Sequence, residues 1–411
     1  MTAGIRHEDL RRRNRAMVLS SMRRMGQPSR TEIAAATGLS NSTISAISAG
    51  LMQEGLLLEG KSEMANAKRG RPQVALELNP CACSIVAVVL SLNSLSAALI
   101  DYAGSVVMEG HKRIPTLTLG KDALVAELLD VIRSLLRHRK EKAERVIRIS
   151  IAIQGITDCA EGTMLWSPIT AHTDIAFGRI VEAEFGIPCT IENDCNMIAV
   201  ALRWRTPERF RDNFVSLLLS NGIGMGLFLK GQLFTGTRSS GGEFGHMMHR
   251  PGGALCRCGR RGCIEAYAGN YAIWRNARGG GGDDLPIADI SQSEMRHLAD
   301  TARDHDGPER EAYRRAGEAI GYGLGSLFAL VDPAPVMIVG AGAEAFDLLE
   351  RPMREAIART VGGQNASDLT FDAEPNELPL TREGCAMHAL TFIDHEIFSN
   401  GPLPLERTKA A

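Results

Sequence analysis

The chain has 411 residues, 44% of them hydrophobic and 23% charged; this composition fits a soluble chain of two or three globular domains and excludes a disordered or fibrous one. No apolar run is long enough to span a bilayer, and no apolar stretch with a cleavage site follows the N-terminal arginines, so a cytoplasmic protein with no membrane partner is expected. The net charge of −2 hides an asymmetry: residues 1–75 hold 12 Lys+Arg and 6 Asp+Glu, a balance of +6 against −8 for the remainder, and a basic head on an acidic body points to a polyanion partner for the head.

The pattern predicts a first helix from Leu10 to Met25, closed by Gly26 and Pro28. A second starts near Ser29, with Glu32 placed for a capping box, and ends at Gly38. A third follows Ser40 and runs to about Glu54. The alternation from Val74 to Leu78 reads as a strand, and apolar strands follow at 85–92 and 96–100. Strand and helix then alternate: a helix over Leu124–Leu136, a strand over Val146–Ile153 and a helix over Ile175–Phe185. A strand at Cys189–Ile191, a helix at Met197–Leu202 and a strand pair at 214–219 and 224–229 come next. A helix at 312–330, a strand at 336–339 and a helix at 346–358 complete the series. This order argues an α/β body with covered sheets. The run Gly279–Gly282 reads as a surface loop.

Ala34, Gly38, Ile44 and Ile47 have the spacing of a helix-turn-helix: a small residue where the helices cross, glycine in the turn, and apolar residues on the inner face, extended by Leu39 and Leu51. The outward face of the third helix offers Ser40, Asn41, Ser42, Thr43 and Ser45, short polar groups suited to phosphates and base edges in the major groove of a double-stranded operator. Arg69 and Arg71, around Gly70 and before Pro72, occupy the position of a wing; a solvated basic linker is the alternative.

Nine cysteines argue against a disulfide framework. Cys256, Cys258 and Cys263, with His246 upstream and Gly259 and Gly262 to fold the chain back, match a tetrahedral zinc site. Four protein ligands leave no open coordination position, so one structural zinc per chain is expected.

The stretch Glu243-Phe244-Gly245-His246, followed by Cys256-x-Cys258-Gly259-x-x-Gly262-Cys263-x-Glu265, resembles the signature of the ROK family of repressors, sugar kinases and uncharacterised members. The resemblance extends over nearly the whole chain, through Ile191-Glu192-Asn193-Asp194 and Val339-Gly340-Ala341-Gly342. It implies an actin/hexokinase-like two-lobed α/β body preceded by an all-α winged helix-turn-helix head. The expected division is a head at 1–78, a first lobe at 79–200 joined by a C-terminal helix near 383–398, and a second lobe at 201–382 with the zinc loop. It also implies a carbohydrate effector held by Asn193, Asp194, Glu243, His246 and Glu265, and a homodimer or homotetramer. Carboxylates and amides suit paired sugar hydroxyls, and a second nitrogen on a metal-bound His246 would couple metal to ligand.

The family's first phosphate loop reads Asp-x-Gly-Gly-Thr; the matching stretch here is Val89-Leu90-Ser91-Leu92-Asn93, without the carboxylate or either glycine. The second loop, Ser220 to Gly226, keeps more, and Asp194 stands where the kinases place their base. The sequence therefore predicts a sugar-responsive DNA-binding regulator of carbohydrate genes, a repressor in its commoner family role, with no catalytic residue in use. Two alternatives stay open. One is an ATP-dependent sugar kinase. The other is a ligand-independent DNA-binding protein with a decayed pocket, because the family's Pro-Gly loop reads Gln154-Gly155-Ile156 and its sugar-contacting asparagine segment reads Ser167 to His172.

Overall fold

A computed structural model describes residues 7–60, 74–138, 145–237, 239, 241–286 and 290–402. The head consists of α1 (His7–Met25), α2 (Arg30–Thr37) and α3 (Asn41–Gln53), closed by the antiparallel pair β1 (Leu57–Glu59) and β2 (Leu76–Leu78). It is therefore not all-α: the alternating segment before Pro80 needs a partner for its backbone, and Leu78 finds Leu57. Ser29 and Glu32 form the expected capping box, and Gly38 ends α2 with φ 71°. Ile44 and Leu51 are fully buried, and Ala34, Leu39 and Ile47 pack half-buried against the same core, with Ile33 added to it. Arg69 and Arg71 lie outside the described residues.

The first body sheet is built from β3 (Ser84–Ser91), β4 (Ser94–Asp101), β5 (Val106–Arg113), β6 (Val146–Ile153) and, beyond the hairpin β7 (Ile156–Asp158) and β8 (Thr163–Trp166), β9 (Cys189–Asn193). Its helices are α4 (Lys121–His138), α5 (Phe177–Phe185) and α6 (Asp194–Arg205). The second sheet uses β10 (Phe214–Leu219), β11 (Ile223–Leu229), β12 (Gln232–Leu233), β13 (Val336–Val339) and β14 (Phe371–Glu374). Around it stand α7 (Glu265–Ala268), α8 (Asn270–Ala277), α9 (Gln292–Asp304), α10 (Pro308–Val331) and α11 (Phe346–Ala358), and α12 (Glu377–Phe392) ends the series. The orders β5-β4-β3-β6-β9 and β12-β11-β10-β13-β14 repeat one design, three antiparallel strands followed by two parallel ones.

Helices α6 and α12 lie side by side between the sheets, α6 against β10 and β11 and α12 against β3 and β6. Their approach is at backbone distance: a Cβ at Gly384 would stand 1.8 Å from the Met197 carbonyl. The same crowding explains Gly224 and Gly226, where a Cβ would fall 2.3 Å from Cys195 Sγ and from the Cys195 carbonyl. Two of the glycines that look like a preserved phosphate loop are thus set by helix packing.

Several boundaries differ from the pattern. Ile175 pairs with Met164 in an isolated bridge, and α5 starts only at Phe177. The C-terminal helix starts at Glu377, before 383, and continues through a π turn, Ile393–Ile397, and a short turn at Phe398–Asn400. That tail holds the head. Arg23 Nε and Nη2 donate to the Asp394 carboxylate at 2.7 and 3.1 Å, Arg23 Nη1 donates to the Tyr102 carbonyl, and the Tyr102 hydroxyl donates to Asp394 at 2.6 Å. Arg15 Nη2 reaches the Phe398 carbonyl at 2.8 Å. The apolar core runs from Leu19 and Met22 of α1 into Tyr102, Leu390 and Phe398 without a break.

Candidate functional site

On α3, Asn41, Ser42 and Ser45 are exposed, and Thr43 is half-buried. Ser40 is the N-cap: its hydroxyl accepts from the Thr43 amide at 3.2 Å and touches the Ser42 and Thr43 hydroxyls. Ala46 and Ala49 complete the outward face, which the sequence reading left out because alanine carries no polar signal. The head's positive excess is not all available to DNA. Arg15 pairs with Glu54, Arg23 with Asp394, Arg12 with Glu396 and Arg30 with Glu59. The charge asymmetry therefore reports in part how the head is assembled and docked.

His246, Cys256, Cys258 and Cys263 converge, their donor atoms all within 4.8 Å of one another. Cys258 Sγ and Cys263 Sγ are 3.7 Å apart, as are Cys256 Sγ and His246 Nδ1. Ligands on a zinc tetrahedron stand about 3.5–3.8 Å apart for Zn–S near 2.3 Å and Zn–N near 2.0 Å, so these residues fit a metal ion of that kind. Gly262, at φ 85°, permits the fold-back, because a Cβ there would stand 1.9 Å from the Arg250 carbonyl. Burial pushes the Cys256 thiol up, and Cys263 up to about 11; a bound cation would take up the thiolate charge and reverse that cost.

Glu265 links this centre to a pocket. Its Oε2 accepts from the Ile223 amide at 3.2 Å, and its Oε1 faces Cys256 Sγ and the Tyr271 hydroxyl, each at 3.5 Å. The pocket, about 50 Å³, is lined by all five residues expected to hold a sugar: Asn193, Asp194, Glu243, His246 and Glu265. His246 turns Nδ1 to the cysteines and Nε2 to the pocket, 3.9 Å from Glu243 Oε2. Asn193 is largely committed elsewhere: its carbonyl oxygen accepts from the Cys195 and Asn196 amides, capping α6, and its NH2 donates to the Gly155 carbonyl. Asp194 is buried, and burial pushes its carboxyl up to about 6. Burial also raises Glu243, against the pull of His246. Trp166, edge-on to the His246 ring at 5.9 Å, lines the pocket too. It directly precedes the Ser167–Pro168 departure, and an isolated tryptophan close before a proline is its only signal in the sequence.

Beyond Gln154, Asp194 and Leu218 the pocket opens into an interlobe cleft of about 700 Å³. The Val89–Asn93 stretch forms the end of β3 and its turn into β4. The Leu92 amide donates to Gln154 Oε1 at 3.3 Å, and the Asn93 amide donates to Thr116 Oγ1 at 3.1 Å. Amides that a phosphate loop would leave free are bonded internally here.

A helix-turn-helix head joined to a two-lobed body of the actin-like sugar-kinase fold defines the class of protein. The chain belongs to the ROK family, which it matches over residues 86–377. It is 24% identical to the xylose repressor of Bacillus subtilis over 387 residues, covering 93% of this chain and 95% of the relative. It is also 24% identical to NagC, a DNA-binding transcriptional dual regulator of Escherichia coli, over 340 residues and 82% of each chain. Among solved structures, a ROK family transcriptional regulator homologous to Escherichia coli MLC aligns at TM-score 0.77 and 22% identity, covering 95% of this chain and 99% of the other. A ROK glucokinase from Streptomyces griseus aligns at TM-score 0.58 and 21% identity, covering 74% of this chain and 98% of its own. The kinase-type body thus lies beneath an added head. Among the described residues no helix is long and apolar enough to cross a membrane.

Proposed function

We propose that this protein is a sugar-responsive transcription regulator, acting as a repressor of carbohydrate genes, and that it does not phosphorylate its sugar. The observation that carries the reading is the β3–β4 turn: a kinase-type body has Leu92 and Ser91 where phosphate needs open backbone, and the Leu92 amide is bonded to Gln154. Repressors of xylose and N-acetylglucosamine genes among the relatives support it. A DNA partner places the protein with the chromosome, in the cytoplasm.

In this reading Ser40, Asn41, Ser42, Thr43 and Ser45 meet the operator, with Arg69 and Arg71 as the wing. Asp194, Glu243, His246 and Glu265 hold the sugar hydroxyls, and Asn193 positions Asp194 by capping α6. One zinc held by His246, Cys256, Cys258 and Cys263 would fix the loop and orient the imidazole; with four protein ligands its contribution is structural. Sugar in the pocket favours one arrangement of the lobes, and a homodimer or homotetramer converts that into a changed spacing of two heads, to which half-site recognition is sensitive.

The kinase reading keeps one observation on its side, a buried Asp194 with a raised pKa beside the cleft. ADP release by the purified protein with magnesium, ATP and a panel of monosaccharides decides between them. Release at background, with a mobility shift on DNA upstream of its own gene, is the expected pair of results; sugar-dependent release well above background overturns the proposal.

A further inference from the structure

The interlobe cleft is bordered by Val89, Ser91 and Leu92, the stretch that matches the family's first phosphate loop, yet its surface is not made for a phosphate. Its charged lining is Arg113 against Asp194, Glu294 and Glu377, a formal balance of −2 that repels a polyphosphate. The backbone donors at its phosphate end are already used by Gln154 and Thr116. The cleft is nevertheless large, about 700 Å³, well within the range of about 300–1,000 Å³ that ligand pockets occupy.

Part of its lining is uncharged hydrogen-bonding capacity without a protein partner among the described residues. Asn270 is only 7% exposed and lines the cleft, and its side-chain amide has no partner among the described residues. The side-chain amides of Asn221 and Asn376 also line it and have none among the described residues, and the Gln154 NH2 is equally uncommitted. Side-chain amides without a protein partner leave donors and acceptors for a ligand or water in the cleft. Amides beside carboxylates and hydroxyls such as Ser91 form the chemistry that grips sugar hydroxyls. The pocket under Glu243, His246 and Glu265 is small, and it adjoins the cleft, with Gln154, Asp194 and Leu218 lining both.

We propose that the pocket and the adjoining cleft together form a two-subsite carbohydrate site, and that the effector is a disaccharide or larger glycoside: one ring sits against Glu243 and Glu265, and the next lies in the cleft against Asn270, Asn221 and Asn376. The inference rests on the sugar-binding reading of the small pocket and extends it. Loss of the phosphate loop then has a purpose beyond loss of catalysis, because Leu92 and Gln154, both uncharged, close the phosphate path at the β3 end where a second ring would sit.

The test is calorimetric titration of the full-length protein with matched pairs: xylose and xylobiose, glucose and cellobiose or maltose, N-acetylglucosamine and chitobiose. Two cleft variants accompany it, Asn270→Leu, which removes the amide while keeping the same branching, and Ser91→Phe, which fills the cleft from the β3 end. For one pair the disaccharide should bind at least about tenfold more tightly than its monosaccharide, and each cleft variant should erase that advantage while leaving the monosaccharide Kd within about twofold. If the monosaccharide binds as tightly and neither cleft variant matters, the second subsite is refuted while the sugar pocket stands. If Mg-ATP competes with the disaccharide at comparable affinity, the cleft remains a nucleotide site and the proposal fails. If no sugar of either size binds, the sugar-pocket reading itself falls and takes this one with it.

Discussion

Replacing Asp394 by alanine removes the anion that holds the head to the body. Arg23 and Asp394 have side chains 2% and 1% exposed, and their contact is bidentate, with Tyr102 donating to the same carboxylate. Burial alone would lower the Arg23 pKa, but Asp394 outweighs it and the guanidinium ends above its ordinary value. The variant therefore leaves a positive charge stripped of water and met, among the described residues, chiefly by the Tyr102 carbonyl and ring. Breaking a buried pair on one side costs about 3–5 kcal/mol, a figure comparable with the stability of a whole small domain. A chain of several domains need not melt in one step, so we expect Asp394→Ala to add a separate low-temperature transition as α1 leaves the C-terminal tail. Urea unfolding followed by Trp204 fluorescence in a Trp166→Phe, Trp274→Phe background reads this, because Arg24 of α1 lies over the Trp204 ring at 5.4 Å. The double variant Arg23→Leu, Asp394→Leu removes both charges and should recover most of the loss. A single transition in Asp394→Ala, within about 1 kcal/mol of wild type, would refute the claim that this ion pair docks the head.

Three further outcomes follow from the site. Cys258→Ser removes one of four converging ligands, and should lower zinc content from one per chain and depress the melting temperature; unchanged values of both would refute the metal assignment. Glu243→Ala should abolish the response of operator binding to sugar and leave operator affinity without sugar unchanged, since Glu243 lines the pocket and not the head. A normal response in this variant would misplace the pocket. Asp194→Asn tests the buried carboxyl through pH. Its folded pKa of about 6 lies above the ordinary 3.8, so the native state holds the proton more tightly. Stability is therefore lost as pH rises from about 4 to 6 and is flat above. Asp194→Asn should then gain up to about 3 kcal/mol at pH 7.5 and roughly half of that at pH 5, with the difference read by denaturant titration at the two pH values. An equal effect at both would refute the shift.

Local chemistry decided which features could be read from the chain. The capping box at Ser29–Glu32 and the turn at Gly38 are set by residues three to five apart, and both form as written. The cysteine loop was legible for the same reason: its ligands and glycines lie close in sequence. The five pocket residues converge as the resemblance implied, although Asn193 is spent on a cap and Trp166 has no motif to announce it. Elements whose partners are distant were the ones missed or misplaced. The strand β14, a short segment that exists only by pairing with β13, had no signal; α12 was expected only from the resemblance and placed late, near 383, because it has little amphipathic pattern, being covered by α6 as well as by the first sheet. The head's arginines misled for a related reason: the anions that claim Arg12 and Arg23 are Glu396 and Asp394, at the far end of the chain.

The most direct test of the central claim is fluorescence anisotropy of labelled DNA from upstream of the protein's own gene, bound to the full-length protein and titrated with the sugars and disaccharides above. Saturable binding whose affinity changes by about tenfold or more with one sugar, and stays fixed in Glu243→Ala, is the predicted result. Saturable binding that no sugar alters, in wild type as in the variant, would contradict the account of a sugar-gated regulator.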